Sequence, residues 1–374
     1  VSGVFRFLVS FHYHQKTNLQ EIVDSYHGPC EVFADSGAFS AATLGATIKL
    51  ADYAAWLKEW DHLLTVRATL DVIGDPAATA RNTAALERQG LPVLPVFHTG
   101  TPYAELEKLV KQYDYMALGG MVPHAKDAPA VLRWLIQCFK IAQETGTVFH
   151  GFGQTRLETL RKLPFYSVDS SAWASGMRYG TITLWDDRAN KLIQLQGGDR
   201  LAARKHARLL RAHGADPALV GRPGFAQKSQ RTEPQFRKEV AMMRGAPAIA
   251  YLRMGDYLAK RHKVPAPKSL TQRGTSVYLA VDASQHLITA APVVNGTGVF
   301  LAADQGGNCL KDAIEITNQA EAGTNVYLAN SLSFNLKGAG QYASEQEGTQ
   351  VFLAETIPVN LKTVAGHLEA VDGT

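Results

Sequence analysis

From residue 6 to about 171, short apolar runs alternate with stretches in which apolar residues recur every three or four positions. Residues 6–11 read as a strand running into Phe11-His12-Tyr13-His14, residues 19–26 as a short helix, and residues 32–37 as a second strand. Residues 50–63 are helical by spacing, with Ala54, Leu57 and Trp60 on one side. A third strand is predicted at 69–73. A helix then opens at Gly74-Asp75-Pro76, where Asp75 suits a cap and Pro76 the first turn, and it ends at Gly90. Strands at 92–97, 115–120, 147–149 and 166–168 follow, separated by helices at 103–111, 128–143 and 157–163. Seven strands spaced by about 20–30 residues, each followed by a helix or turn, predict a parallel sheet of the α/β class. Polar or glycine residues stand at nearly every strand end. A doubly wound sheet concentrates such residues at one switch point, so the expectation is a (β/α)8-type, TIM-like barrel, with those ends gathered on one rim.

Beyond Asp169 the pattern changes. Residues 181–196 read as a β-hairpin around Asp186-Asp187-Arg188-Ala189-Asn190, and 199–213 as a basic amphipathic helix. A loop rich in Gly, Pro, Lys and Arg spans 221–232. Residues 233–262 are helical and basic, with a candidate break at Gly245-Ala246-Pro247, and 264–274, containing Pro265 and Pro267, read as a linker. The phrase Gly-Thr-x-Val-aromatic-Leu-Ala then occurs at Gly274, Gly296, Gly323 and Gly348. Such a period is the mark of a stacked supersecondary unit, here β-rich. The expected organisation is a barrel with hairpin over 1–198, a basic helical extension and linker over 199–273, and a small C-terminal β-rich repeat domain over 274–374.

Charge sharpens that division. Residues 199–273 hold 17 Lys and Arg against 5 Asp and Glu, whereas 274–374 hold 3 against 10. The middle segment suits a polyanion. The acidic repeats do not, and they are expected to meet a protein partner or a second copy of the chain. No apolar run approaches a membrane span and no signal peptide opens the sequence, so no membrane contact and a cytoplasmic location are expected. Three scattered cysteines, Cys30, Cys138 and Cys309, fit a reducing compartment. With no Cys-x-x-Cys pair, neither a structural metal nor any cofactor is expected.

The predicted rim carries His12, His14, Asp35, Asp71, His98, Gly119, Gly120, His150 and Asp169. Asp35 alone reads more readily as a turn cap than as a catalytic acid; the recurrence of polar strand ends shifts that balance. Two carboxylates from separate strands facing one pocket suit glycosidic-bond chemistry: one attacks the anomeric carbon while the other handles the leaving group's proton. Adjacent glycines let a flat ligand lie against the backbone. Trp173 is a candidate for stacking on base or sugar and equally for core packing. His12 and His14, placed on one side of a strand, are candidate phosphate contacts or ordinary rim histidines.

Several motifs in order resemble the tRNA-guanine transglycosylases. Asp35-Ser36-Gly37-Ala38-Phe39-Ser40 is similar to that family's Asp-Ser-Gly-Gly-Phe-Gln, and Ala117-Leu118-Gly119-Gly120-Met121 to its Ala-Leu-Gly-Gly-Leu. His150-Gly151-Phe152-Gly153 matches its Gly-x-Gly strand, and 166–170 the strand bearing its nucleophilic Asp. The following hairpin also matches, so the resemblance covers roughly residues 5–200. It implies Asp169 as nucleophile and Asp35 as general acid/base. Asp71 would bind the base edge, with Gly119, Gly120, Met121 and Gly151 around it; His98 stands where the family has Gln. The family's C-x-C-x-x-C zinc site is missing, and Ser-Ser-Ala-Trp follows Asp169. Both departures resemble the phage-type branch that exchanges guanine for 7-deazaguanine derivatives in DNA, within a bacterial or phage-infected cell. The resemblance therefore implies DNA rather than tRNA as substrate and a 7-deazaguanine base as co-substrate. Phosphate-backbone contacts are expected from Arg178 and from the basic segment, with Lys205 and with Arg200, Arg204, Arg208 and Arg211 spaced on one helix face. Alternatives are the same exchange on tRNA, a hydrolase that removes a modified base, and a non-catalytic nucleic-acid-binding barrel.

Overall fold

The structure, a computed structural model, describes residues 4–121, 124, 127–270 and three strands at 298–302, 326–329 and 351–354. The first copy of the repeated phrase and Cys309 lie outside the described residues. The chain opens with β1 (Phe5–Ser10), α1 (Phe11–His14), α2 (Leu19–Asp24), β2 (Cys30–Asp35), α3 (Ala38–Thr43), α4 (Leu50–Glu59) and β3 (Leu64–Arg67). There follow α5 (Pro76–Glu87), β4 (Val96–His98), α6 (Tyr103–Leu109), β5 (Tyr115–Gly119), α7 (Ala128–Ala142), β6 (Val148–Gly151), α8 (Leu157–Leu160) and β7 (Ser167–Ser170). A 3-10 turn (Ala172–Ser175) and α9 (Gly176–Tyr179) lead to the hairpin β8 (Thr181–Asp186) and β9 (Lys191–Gln196). Then come α10 (Arg200–Lys205), α11 (Ala207–Arg211), α12 (Pro217–Val220) and the long α13 (Glu233–His262), and finally β10 (Gly298–Ala302), β11 (Val326–Ala329) and β12 (Val351–Ala354).

Eight strands form one parallel sheet in the order β3-β2-β1-β10-β7-β6-β5-β4. Next to the outermost strands of that order, Ala68 just after β3 and Leu94 just before β4 form an isolated parallel bridge, in which Thr69 donates its N–H to the Leu94 carbonyl at 3.0 Å. Seven strands come from the region predicted to supply them. The eighth, β10, belongs to the second copy of the repeated phrase and lies between β1 and β7, with Phe300 in register with Asp169. Two compact units divide at Thr317/Asn318. In the second unit β11 pairs with β12 in parallel, setting the third copy of the phrase against the fourth, Val326 on Val351 and Tyr327 on Phe352.

Alternation along each strand sorts side chains onto two faces. Phe5, Phe7, Val9, Val32, Ala34, Phe97, Met116, Leu118, Phe149 and Val168 face the helices, packing with Leu19, Ile22, Tyr53, Leu57 and Leu135. Full burial of a side chain such as Phe7 or Phe149 contributes roughly 1.5–3 kcal/mol. On the other, strand-lined face, Leu8, Phe33, Val66, Val96, Tyr115, Ala117, Val148 and Tyr166 form a separate cluster. Val264 and Leu270 are buried in it too, so the described part of the predicted linker is packed.

Other differences are local. Residues 11–14 turn into helix instead of prolonging β1, and residues two apart on a helix point to nearly opposite sides. His12 and His14 therefore do not share a side. The third strand ends at Arg67, and 69–73 is irregular. The predicted basic helix breaks at His206, whose φ of −106° and ψ of 22° leave the helical range, so α10 and α11 are separate. Arg200 and Arg204 thus do not share one helix face with Arg208 and Arg211. In contrast, α13 runs unbroken through Pro247.

The hairpin, α10, α11, α12 and the start of α13 build a core of their own from Ile182, Leu184, Leu195, Ala203, Leu210, Val220, Phe225, Met242 and Met243. Buried His213 accepts the Trp185 N–H at 3.0 Å and donates to the Leu209 carbonyl at 2.8 Å. Burial pushes its pKa down to about 4, with the Arg253 charge adding, which keeps the ring neutral for both bonds.

Candidate functional site

The strand-lined face is polar at both ends. At the strand starts, Arg6 on β1 and Glu31 on β2 sit in register and form a 2.7 Å ion pair. At the strand ends the same alternation brings Asp35, His98, Gly119, His150 and Asp169 to that face, two residues beyond Phe33, Val96, Ala117, Val148 and Ser167 respectively.

Asp35 ends β2, and the Gly37 N–H donates to its Oδ2 at 3.0 Å. Gly37 adopts a left-handed φ of 74°, and a Cβ there would meet Ser10 Oγ at 2.4 Å, so only glycine lets the chain turn so close to β1. Burial raises the Asp35 pKa to about 8, with the negative charges of Asp71 and Asp169 pushing the same way. The three carboxylates are therefore close enough to interact, and Asp35 carries a proton at neutral pH.

Asp71 sits on the irregular stretch after β3, held from behind. Tyr53 donates its hydroxyl to the Ala68 carbonyl at 2.8 Å, Asn82 its amide to Leu70 at 2.9 Å, and Val72 its N–H to Thr79 Oγ1 at 2.9 Å. The Asp71 carboxylate meets His98 Nε2 at 3.0 Å through Oδ2 and accepts from Ser36 Oγ at 3.2 Å through Oδ1. Gly119 lies against that imidazole: a Cβ would stand 2.9 Å from the His98 ring. Gly120, at φ 76°, packs on Thr99, whose hydroxyl donates to the Gly120 carbonyl at 2.8 Å.

Asp169 on β7 is buried. Its Oδ1 accepts the Gly153 N–H at 2.9 Å and meets His150 Nε2 at 3.2 Å. The other ring nitrogen, Nδ1, lies 2.7 Å from Ser167 Oγ, which in turn lies 2.6 Å from the Tyr115 hydroxyl. Burial lowers the His150 pKa, opposed by the hydrogen bond and charge of Asp169.

The structure thus brings together Asp35, Asp71, His98, Gly119, His150 and Asp169. Other predicted residues lie elsewhere. Gly151 directs its missing side chain at the Phe165 ring, 2.8 Å from an added Cβ, and so toward the helix-facing core. Met121 and Trp173 are buried in that same core, which for Trp173 favours packing over stacking. His14 is fully buried with Nδ1 on the Ser10 carbonyl at 3.0 Å, while His12 follows β1 with its N–H on the Ser36 carbonyl at 3.3 Å. Arg178, Arg200, Arg204, Lys205, Arg208 and Arg211 are all exposed, on α9, α10 and α11. Sequence reasoning missed Ser36, Gly153, Ser167 and Tyr115. Ser167 carried a signal, being two residues before Asp169 on a strand; Tyr115, 52 residues from Ser167, carried none.

Among the described residues, no three His, Cys, Asp or Glu side chains are grouped to hold a metal ion. Nor is any helix there long and apolar enough to cross a membrane. No protein-family model, no curated protein and no solved structure matches this chain.

Proposed function

We propose that the chain is a base-exchange transglycosylase that replaces guanine by a 7-deazaguanine derivative in DNA, built on a closed (β/α)8-type barrel. The observation that carries the reading is the pairing of unlike carboxyls on one face. Burial, with the charges of Asp71 and Asp169 adding, raises the Asp35 pKa to about 8, while Asp169 has one oxygen held by a backbone N–H and an imidazole. One acid that holds a proton, facing a second with one oxygen fixed by two donors, suits an acid/base and a nucleophile on one glycosidic bond. The Ala68–Leu94 bridge between segments next to the outermost strands supports the closed arrangement.

In the first half-reaction Asp169 Oδ2 attacks C1′, the C1′–N9 bond breaks, and its electron pair leaves on the guanine, which takes the Asp35 proton. In the second, Asp35 as carboxylate removes the N9 proton of the incoming deazaguanine. That nitrogen bonds to C1′, and the ester bond to Asp169 breaks with its electron pair returning to the carboxylate. Asp71, braced by His98 and Ser36, is placed to accept from a purine's N–H edge beside Gly119. The exposed arginines of α10 and α11 supply the phosphate contacts, and the target nucleoside is drawn out of the stack to reach the acids.

Incubation with a labelled 7-deazaguanine base and either duplex DNA or tRNA tests the reading. Label is expected in DNA, and Asp169→Ala should abolish its entry. Label confined to tRNA would move the substrate to RNA; a fully active Asp169→Ala protein would remove the nucleophile assignment; and abasic sites without label would make the chain a hydrolase.

A further inference from the structure

Of the chain Tyr115–Ser167–His150 only the imidazole enters the reading above, yet the chain is buried and continuous, and it ends on Asp169. We propose that Tyr115, Ser167 and His150 form a positioning relay that fixes the imidazole as its Nε2–H tautomer, clamps Oδ1 of Asp169 and reserves Oδ2 for the sugar. The inference rests on the reading of Asp169 as nucleophile.

The relay follows from strand geometry. His150 on β6 is in register with Ser167 on β7, so the ring lies over that serine and reaches diagonally to Asp169. Tyr115 starts β5 in register with Val148, and its long side chain spans β6 to reach Ser167 at 2.6 Å. Phe33 and Phe152 flank the imidazole, with ring centroids 4.4 and 4.7 Å away, which restrains its tilt.

The direction of the hydrogen bonds follows from the carboxylate end, where Asp169 Oδ1 faces Nε2 and calls for a proton there. Burial raises the Tyr115 pKa well above its ordinary value, so its hydroxyl stays protonated and can donate to Ser167. The Ser167 hydroxyl then donates to Nδ1, which leaves the single ring proton on Nε2, facing Asp169 Oδ1. The opposite direction would aim a nitrogen lone pair at a carboxylate oxygen that already accepts from Gly153. Among the described residues, Oδ2 of Asp169 has no hydrogen-bond partner.

The consequence is chemical. When Oδ2 bonds to C1′, Oδ1 becomes the ester carbonyl and still accepts from Gly153 and His150. When Asp169 departs, the negative charge returns between the same two donors, which makes it a better leaving group. The relay therefore acts most strongly on the second half-reaction.

Histidine-selective 15N labelling of the full chain tests the tautomer without requiring any turnover, with the His150 signal assigned by its loss in His150→Asn. The expected result is a neutral Nε2–H ring at pH 8 in the unsubstituted chain, and a mixed tautomer in Ser167→Ala. Both Ser167→Ala and Tyr115→Phe should lower kcat for exchange, by about 10-fold and about 3-fold respectively, leave KM for DNA unchanged, and accumulate the covalent protein–DNA adduct. Tyr115→Phe preserves the shape of the core and serves if Ser167→Ala does not fold. An Nδ1–H ring in the unsubstituted chain, or variants with unchanged kcat and no adduct, would overturn the relay while leaving the transglycosylase reading intact. Absence of exchange in the unsubstituted chain would overturn that reading, and the relay's catalytic role with it, whichever tautomer is found.

Discussion

Two carboxylates among the described residues, Glu239 on α13 and Asp35 at the end of β2, are accommodated in opposite ways. In the basic extension, Glu239 on α13 is 1% exposed, yet it binds Arg222 at 2.6 Å, Arg231 at 2.8 Å and the Ala226 N–H. Burial pushes its carboxyl up, but those donors overcome that and hold its pKa below the usual range. At the strand ends, Asp35 has a backbone N–H and two like charges for neighbours, and its pKa rises to about 8. The first acid is satisfied and ties the 221–231 loop to α13. The second is left frustrated, at a cost in stability. Uncompensated charge beside groups that take or give protons is where chemistry is expected, whereas matched charge is structural.

Neutralising the frustrated acid breaks the comparison most severely. Asp35→Asn should lower the exchange rate by about 10²–10⁴-fold, measured as labelled-base incorporation. Stability should move the other way. Folded Asp35 keeps a proton that the unfolded chain releases near 3.8, so the folded state of the unsubstituted chain loses stability as pH rises from 3.8 toward about 8. Calorimetry across that window should show a flatter Tm profile for Asp35→Asn and a higher Tm above pH 8. Lower stability in the variant at pH 8 would mean that Asp35 is satisfied after all.

Removing the matched acid is a stability experiment. Glu239→Ala leaves two arginines without their partner and should cost about 3 kcal/mol, read by urea unfolding. Because the Glu239 pKa is depressed, its contribution is present above the ordinary value of 4.5 and is lost as pH falls below it. The smallest effects belong to the exposed basic side chains. Single Ala substitutions at Arg200, Arg204 or Arg208 should leave kcat unchanged and each reduce the salt dependence of DNA binding by about one phosphate contact. An unchanged slope for all three would move the polyanion surface elsewhere.

What the amino-acid pattern revealed follows physical lines. Polar residues recurring at the ends of successive predicted strands made Asp35, His98, His150 and Asp169 legible as a set, because parallel β/α units gather those ends on one side. Asp71 was legible as a residue, but its support was not. It rides on an irregular stretch held by Tyr53, Asn82 and Thr79, contacts that depend on tertiary packing. Residues 11–14 have the aromatic content of a strand, yet they turn into helix where Ser10 meets Gly37 at close range. The eighth strand was hidden by its own repetition: four copies of one phrase share a strand-forming core, and no local feature distinguishes the copy that lies between β1 and β7 from those that pair with each other.

The central claim is that Asp169 bonds to the sugar while Asp35 handles the proton. Mixing the chain with duplex DNA and a deazaguanine base that cannot complete the second step, then denaturing and weighing the protein, reads that bond directly. A mass increase equal to the DNA strand lacking one guanine, located on Asp169 by digestion and absent in Asp169→Ala, is the predicted result. An adduct on another residue, or exchange proceeding with no adduct at any time point, would contradict it.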